Sequence, residues 1–188
     1  MNDLTEVMSA PLLIPQVPEG EQERVEAIFN GIEAHIGFVP DGLKLYSFSP
    51  PLLESFVGNI SYFNGQTSLA PSLMAMIRYH VSWQAECQFC IDMNEGFLAN
   101  MGIELDDVRA SRDNPEKSPL GKNEIVLLLL ALKSVNTPEE VNADDMESAR
   151  TAGWSDREIF DAVAQAASNR AFNTVLRTFK IEHQGVLA

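Results

Sequence analysis

Apolar residues recur three and four positions apart along most of this chain, and the breaks between the runs carry helix-ending residues. Val25, Ile28, Phe29, Ile32 and Ile36 line one helical face, closed by Gly37 and Pro40. A second stripe, Leu52, Leu53, Phe56, Val57, Ile60 and Phe63, has Ser49 as a candidate cap, Pro50 in its first turn and Asn64-Gly65 at its end. A third segment starts at Pro71, carries Leu73, Met76, Ile77 and Val81 on one side, and runs towards Gln84. From Cys87 the stripe Cys90, Asn94, Phe97, Leu98 and Met101 continues to Gly102, a residue suited to a left-handed helix stop. A short helix from Leu105 to Ser111 leads into SRDNPEKSP, whose charges and prolines predict an exposed connection. Beyond it come an apolar helix over 122–135, a polar loop through Pro138 and a helix ending at Gly153. Ser155 and Glu158 then form a capping box for a long final helix bearing Ile159, Phe160, Val163, Ala167, Leu176 and Phe179.

No segment alternates with period two, so the expected fold class is all-α. Sliding the chain against itself aligns Leu69 with Leu120, Gly102 with Gly153 and Val108 with Ile159 at one shared offset, which suggests a duplicated helical unit. The second copy has Pro138 where the first has Cys87, so thiol chemistry belongs to one half only.

Composition narrows the functional classes. A chain of 188 residues with 45% hydrophobic content can bury a substantial core, and we expect a loose N-terminal arm over 1–19 and one helical domain over 20–188. Thirteen basic against 27 acidic residues give a formal net charge of −14, which repels phosphate backbones and anionic lipid headgroups. Neither nucleic acid nor a membrane is an expected partner. The most apolar run, Ile125 to Leu132, is far shorter than the roughly 20 residues that cross a bilayer. The N-terminus, MNDLTEVMSAPLLIPQ, lacks the basic and apolar regions of a secretory signal, so the expected location is the cytoplasm. Thiols stay reduced there, and two cysteines in such a chain do not read as a disulfide framework.

Both cysteines lie in ECQFCIDMN, at Cys87 and Cys90, where a helix begins. Unpaired backbone N–H groups and the positive end of the helix dipole favour a thiolate there, and one turn brings the second sulfur near the first. Such a pair can run a two-electron cycle in which one sulfur is oxidised and the other closes a disulfide. The competing reading is two buried helix cysteines. A metal site fails on ligand count, since His35, His80 and His183 are scattered without paired spacing. Phe89, Trp83, Phe97 and Met101 are candidates for an apolar pocket beside the sulfurs, or for core packing.

The stretches LAPSLMAMIRYHVSWQAECQFCIDMNEGFLANMGI and ARTAGWSDREIFDAVAQAASNRAFNTVLRTFKIE carry a resemblance. From about Ile28 to Glu182 the chain resembles the AhpD-like family, which includes alkylhydroperoxidase AhpD, peroxidase-related proteins and carboxymuconolactone decarboxylase. The resemblance implies a multihelical bundle, an organic hydroperoxide or small disulfide as substrate, and a lipoyl or thioredoxin-like dithiol as reductant. It also implies trimers or hexamers, and no metal, flavin or haem. It implies that Cys90 attacks the peroxide and Cys87 resolves it, with a glutamate and a histidine relaying protons. The relay positions here hold Ala75 and Asn94.

Loss of both groups predicts a slow enzyme, because general acid and base help is worth about two to four orders of magnitude. Three residues are candidate substitutes. The Asn94 amide, four residues after Cys90, can donate to a thiolate; Glu86 adjoins Cys87; and His80 stands on the preceding helix, which folds back towards the pair. The expected function is a thiol-dependent alkylhydroperoxidase or disulfide oxidoreductase. The alternatives are a lactone-decarboxylating lyase and a non-catalytic helical oligomer with a decayed site.

Overall fold

The computed structural model describes residues 10–182. Within them the backbone forms α-helices and 3-10 turns only, in the all-α class that the periodicity predicts. Helix α1 spans Gln22–Ile36 and stops at Gly37, whose φ of 87° is the left-handed conformation that glycine adopts without a Cβ clash. Helix α2 (Asp41–Leu45) and a 3-10 turn (Tyr46–Phe48) follow, too short to announce themselves by periodicity. In α3 (Pro50–Gly65) Ser49 makes no side-chain capping bond, and Pro50 begins the helix with its pre-set φ.

The centre of the molecule is α4 (Pro71–Gln84), packed against α5 (Gln88–Asn100), α7 (Lys122–Asn136) and α9 (Asp156–Thr178). Leu73, Ala75, Met76, Ile77, Tyr79, His80 and Val81 of α4 are all buried, so this helix is enclosed on every side rather than on one stripe. Leu127, Leu128, Ala131, Ile159, Ala162 and Ala166 complete the main apolar cluster with it. The leucine run of α7 is therefore covered by its own chain. Among the described residues, no helix is long and apolar enough to cross a membrane.

Three expectations change here. The predicted stripe of α9 is shifted: Phe160 is 69% exposed and Ala167 is exposed, while Asp161, Gln165, Asn169 and Asn173 face inward. They are tolerated because they are satisfied. Asp161 accepts from the Tyr62 and Thr67 hydroxyls at 2.8 Å each, and Asn169 donates to the Arg78 carbonyl at 3.1 Å. SRDNPEKSP, which follows α6 (Leu105–Ala110), is not wholly exposed, because Ser111 and Ser118 are buried against His80. The N-terminal arm is held where it is described: the Leu12 N–H donates to the Phe179 carbonyl at 3.0 Å, and Leu13 packs beside the cysteines. Residues 1–9 and His183 lie outside the described residues.

At the repeat offset, α4 and α7 begin after Leu69-Ala70 and Leu120-Gly121, and Gly102 and Gly153 both take left-handed φ. The middle helices differ. Helix α5 has 13 residues, whereas α8 (Ala143–Thr151) has nine and follows a 3-10 turn.

Candidate thiol site

Helix α4 ends in a tight turn that fixes where the first cysteine goes. The Glu86 N–H donates to the Trp83 carbonyl at 2.9 Å and the Cys87 N–H to the Ser82 carbonyl at 2.9 Å, the paired closure of a helix C-terminus. Glu86 takes φ of 53° in that turn, a conformation usually left to glycine or asparagine. Cys87 is then the extended residue preceding α5, and Cys90 lies one turn in. Their Sγ atoms are 2.8 Å apart, and both residues are free thiols. Closing to the disulfide length of about 2.05 Å is a sub-ångström movement.

Both cysteines are nearly sealed, Cys87 at 1% and Cys90 at 3% exposure. Cys90, however, forms part of the wall of a cavity of about 900 Å³, and Cys87 does not. The cavity lies under α1 and α3, whose Ile28, Ile32, Phe56 and Ile60 form one side, with Phe89, Met93 and Phe97 of α5 and Phe172 of α9 on the other. The cavity wall also carries the polar side chains Arg78, Asn94, Gln165 and Asn169, of which Asn94 touches Cys90. Gly42 of α2 is buried at this wall, where a Cβ would stand 2.9 Å from Phe172 and 3.1 Å from Phe89, so the backbone approaches closely only as glycine.

The two sulfurs are electrostatically unequal. Their mutual hydrogen bond, the Asn173 amide and the charge of Arg177 hold the Cys87 thiol below its ordinary range against burial. Burial, then the bond to Cys87 and its charge, push Cys90 well above it, with Asn173 and Ser82 opposing. The pair thus holds its first negative charge on Cys87 and its proton on Cys90. Tyr46, raised chiefly by burial, also feels the charge of Cys90.

The three candidate relay residues part company. Asn94 is buried beside Cys90, but its amide donates to the Cys90 carbonyl at 2.7 Å rather than to a sulfur, and its Oδ1 accepts from Arg78 Nε at 3.0 Å. It holds the helix and the guanidinium. Glu86 points outward to Arg177 at 3.2 Å, and it is this arginine whose charge reaches Cys87. His80 is fully buried on the opposite side of α4, with Nε2 3.0 Å from the Ser118 hydroxyl and 3.2 Å from that of Ser111. The reason is helical arithmetic. Residues 75, 78 and 82 fall within about 60° of one another, and residue 80 lies roughly 140° to 160° away. Burial lowers the His80 pKa to about 4, so it is neutral.

Ser82, Asn169, Asn173, Arg78 and Arg177 surround the thiols and were not singled out from the sequence. Their signal is spacing: Arg78 and Ser82 fall three and seven residues after Ala75, and Asn169 and Asn173 make an i,i+4 polar pair inside α9. Of the four pocket candidates, Phe89, Phe97 and Met101 line the cavity, whereas Trp83 lies under the Arg112 guanidinium, 4.3 Å from its ring centre. Among the described residues, no three His, Cys, Asp or Glu side chains are grouped to hold a metal ion.

No family model and no curated protein matches this chain. Solved structures do. An uncharacterized peroxidase-related protein from Silicibacter sp. TM1040 superposes with a TM-score of 0.82 at 21% identity, over 94% of this chain and 93% of that one. The alkylhydroperoxidase AhpD core of a peroxidase-related protein from Ralstonia eutropha JMP134 gives 0.81 at 20% identity, over 95% and 96%. The debrominase Bmp8 in its apo form gives 0.69 at 18% identity, over 93% and 99%. These likenesses are of fold, and the chain has the AhpD-like all-α fold.

Proposed function

We propose that this AhpD-fold chain is a dithiol oxidoreductase in which Cys90 and Cys87 reduce an organic hydroperoxide held in the apolar cavity. The carrying observation is the 2.8 Å separation of two free sulfurs, one of which opens on that cavity. The attacking form is the less populated one, in which the Cys87 thiolate has taken the proton of the less acidic Cys90 across their shared hydrogen bond, an uphill transfer that leaves the more nucleophilic thiolate at the cavity wall. That thiolate attacks the terminal peroxide oxygen. The O–O bond breaks, an S–OH group forms on Cys90, and the alkoxide leaves to become the alcohol with the proton that Cys87 received. The Cys87 thiolate then attacks the Cys90 sulfur, closing the disulfide and expelling hydroxide. The pair loses two electrons and the peroxide gains them. An external dithiol of the lipoyl or thioredoxin-like class restores both thiols by exchange, and the protein works as a homo-oligomer.

The aromatic lining by Phe56, Phe89, Phe97 and Phe172 supports a second reading with the same sulfurs. A brominated aromatic compound is then the oxidant, losing bromide and gaining hydrogen while the dithiol becomes a disulfide; debromination is what the name of one structural neighbour describes.

Reduced protein mixed with cumene hydroperoxide should lose two free thiols by intact mass, and dihydrolipoamide should sustain turnover. Cys90→Ser should form no internal disulfide. Two thiols left reduced by the hydroperoxide but oxidised by a bromopyrrole would select the second reading. Thiols left reduced by both would return the chain to the lyase or assembly readings.

A further inference from the structure

Arg78 is a cation inside a strongly acidic protein, with no counter-charge among the described residues. Its Nε donates to Asn94, and its guanidinium carbon lies 6.0 Å from the Phe97 ring centre. No carboxylate lies within ion-pair distance of it among the described residues. Arg24, Arg109, Arg112, Arg150 and Arg177 each have one. The two terminal guanidinium nitrogens have no protein partner among the described residues and are not sealed in protein. Arg78 lines the cavity that Cys90 also lines. A desolvated guanidinium is costly unless an anion faces it, and burial here lowers its pKa to about 10. No Asp or Glu among the described residues lines the cavity there.

The thiols show the complementary lack. Glu86 points away to Arg177, His80 lies on the far side of α4, and Asn94 cannot donate a titrating proton. Beyond the Cys87 thiol, none of these three residues can protonate a leaving alkoxide. The site is well provided for a leaving group that departs as a stable anion.

Building on the thiol reading above, we propose that the substrate is an acyl hydroperoxide with an apolar body, a peroxycarboxylic acid, and that Arg78 binds the carboxylate it releases. The Cys90 thiolate attacks the terminal oxygen, the O–O bond breaks, and S–OH forms while the carboxylate leaves with the bonding pair. The Cys87 sulfur then attacks the Cys90 sulfur, and the proton that Cys87 carries leaves with the expelled hydroxide as water. A carboxylate is a weak base and needs no proton to leave. It needs a cation, and the planar fork of arginine matches its two oxygens.

Stopped-flow oxidation of the reduced protein by 3-chloroperoxybenzoic acid and by cumene hydroperoxide, each divided by its rate with free glutathione, tests this. The acceleration should be at least about tenfold larger for the peroxy acid in wild type, should vanish in Arg78→Met and should partly return in Arg78→Lys. Independently of turnover, 3-chlorobenzoate should slow iodoacetamide alkylation of Cys90 in wild type but not in Arg78→Met, and chlorobenzene should not slow it in either. The wild-type comparisons stand even if Arg78→Met fails to fold. Equal accelerations with disulfide formed by both oxidants, or no protection by the benzoate, would overturn the substrate class and leave the thiol chemistry intact. Failure of both oxidants to give a disulfide would overturn that chemistry too, and benzoate protection would then report only an anion site.

Discussion

The molecule has two apolar clusters, built from similar residues to opposite ends. Around α4, α7 and α9 the side chains close on one another until Leu73, Ile77, Leu127 and Leu128 have no exposed surface. Around Cys87 and Cys90 the residues Leu45, Phe89, Met93 and Leu176 pack on one side only, and the other side is the cavity beneath α1 and α3. The difference lies in the helices that cover each cluster. Helix α7 brings a run of leucines to α4, whereas α1 buries only Val25 outright, with Ile28, Ile32 and Ile36 partly exposed along the cavity. A closed cluster stabilises, at about 1.5–3 kcal/mol for each large apolar side chain removed from water. An open one leaves room beside reactive atoms.

The largest expected effect is at the open cluster and is chemical. Cys90→Ser should abolish disulfide formation with cumene hydroperoxide altogether while shifting stability by about 1 kcal/mol, read by intact mass and urea unfolding. Next comes the closed cluster. Leu127→Ala should lower unfolding free energy by about 3–4 kcal/mol, since a rigid surround cannot collapse onto the void; a loss under about 1 kcal/mol would deny that this cluster is the tighter of the two.

His80, on the closed side, gives the third test. Its folded pKa of about 4 lies below the unfolded value of about 6.5, so the unfolded state binds more protons between those values. Stability held above pH 6.5 is therefore lost as pH falls towards 4, by an amount on the order of 3 kcal/mol. Denaturant curves for His80→Gln should fall less steeply across that window. The smallest effect belongs to the cavity wall: Phe97→Ala should cost about 1 kcal/mol, well under the usual cost of a buried phenylalanine, because the space beside it is already open.

Much of the helical scaffold was legible because it is local. Gly37, Gly102, Gly153, Pro50, Pro71 and the Ser155/Glu158 box end or begin helices through their own backbone and side-chain chemistry. The face of α9 was misread for the converse reason. Asp161, Asn169 and Asn173 count as surface residues until Tyr62, Thr67 and Ser82, far away in the chain, satisfy them.

The same division runs through the site. Sequence alone determined that two sulfurs stand one helical turn apart where a helix begins, because that follows from a three-residue spacing and the end of a preceding helix. Only the tertiary structure decided which sulfur faces a cavity, which is the more acidic, and that Arg78 lines that cavity while His80 lies on the far side of α4. Exposure, charge stabilisation and an absent counter-ion are set by groups on α1, α3, α4 and α9 together. No spacing within one helix encodes them.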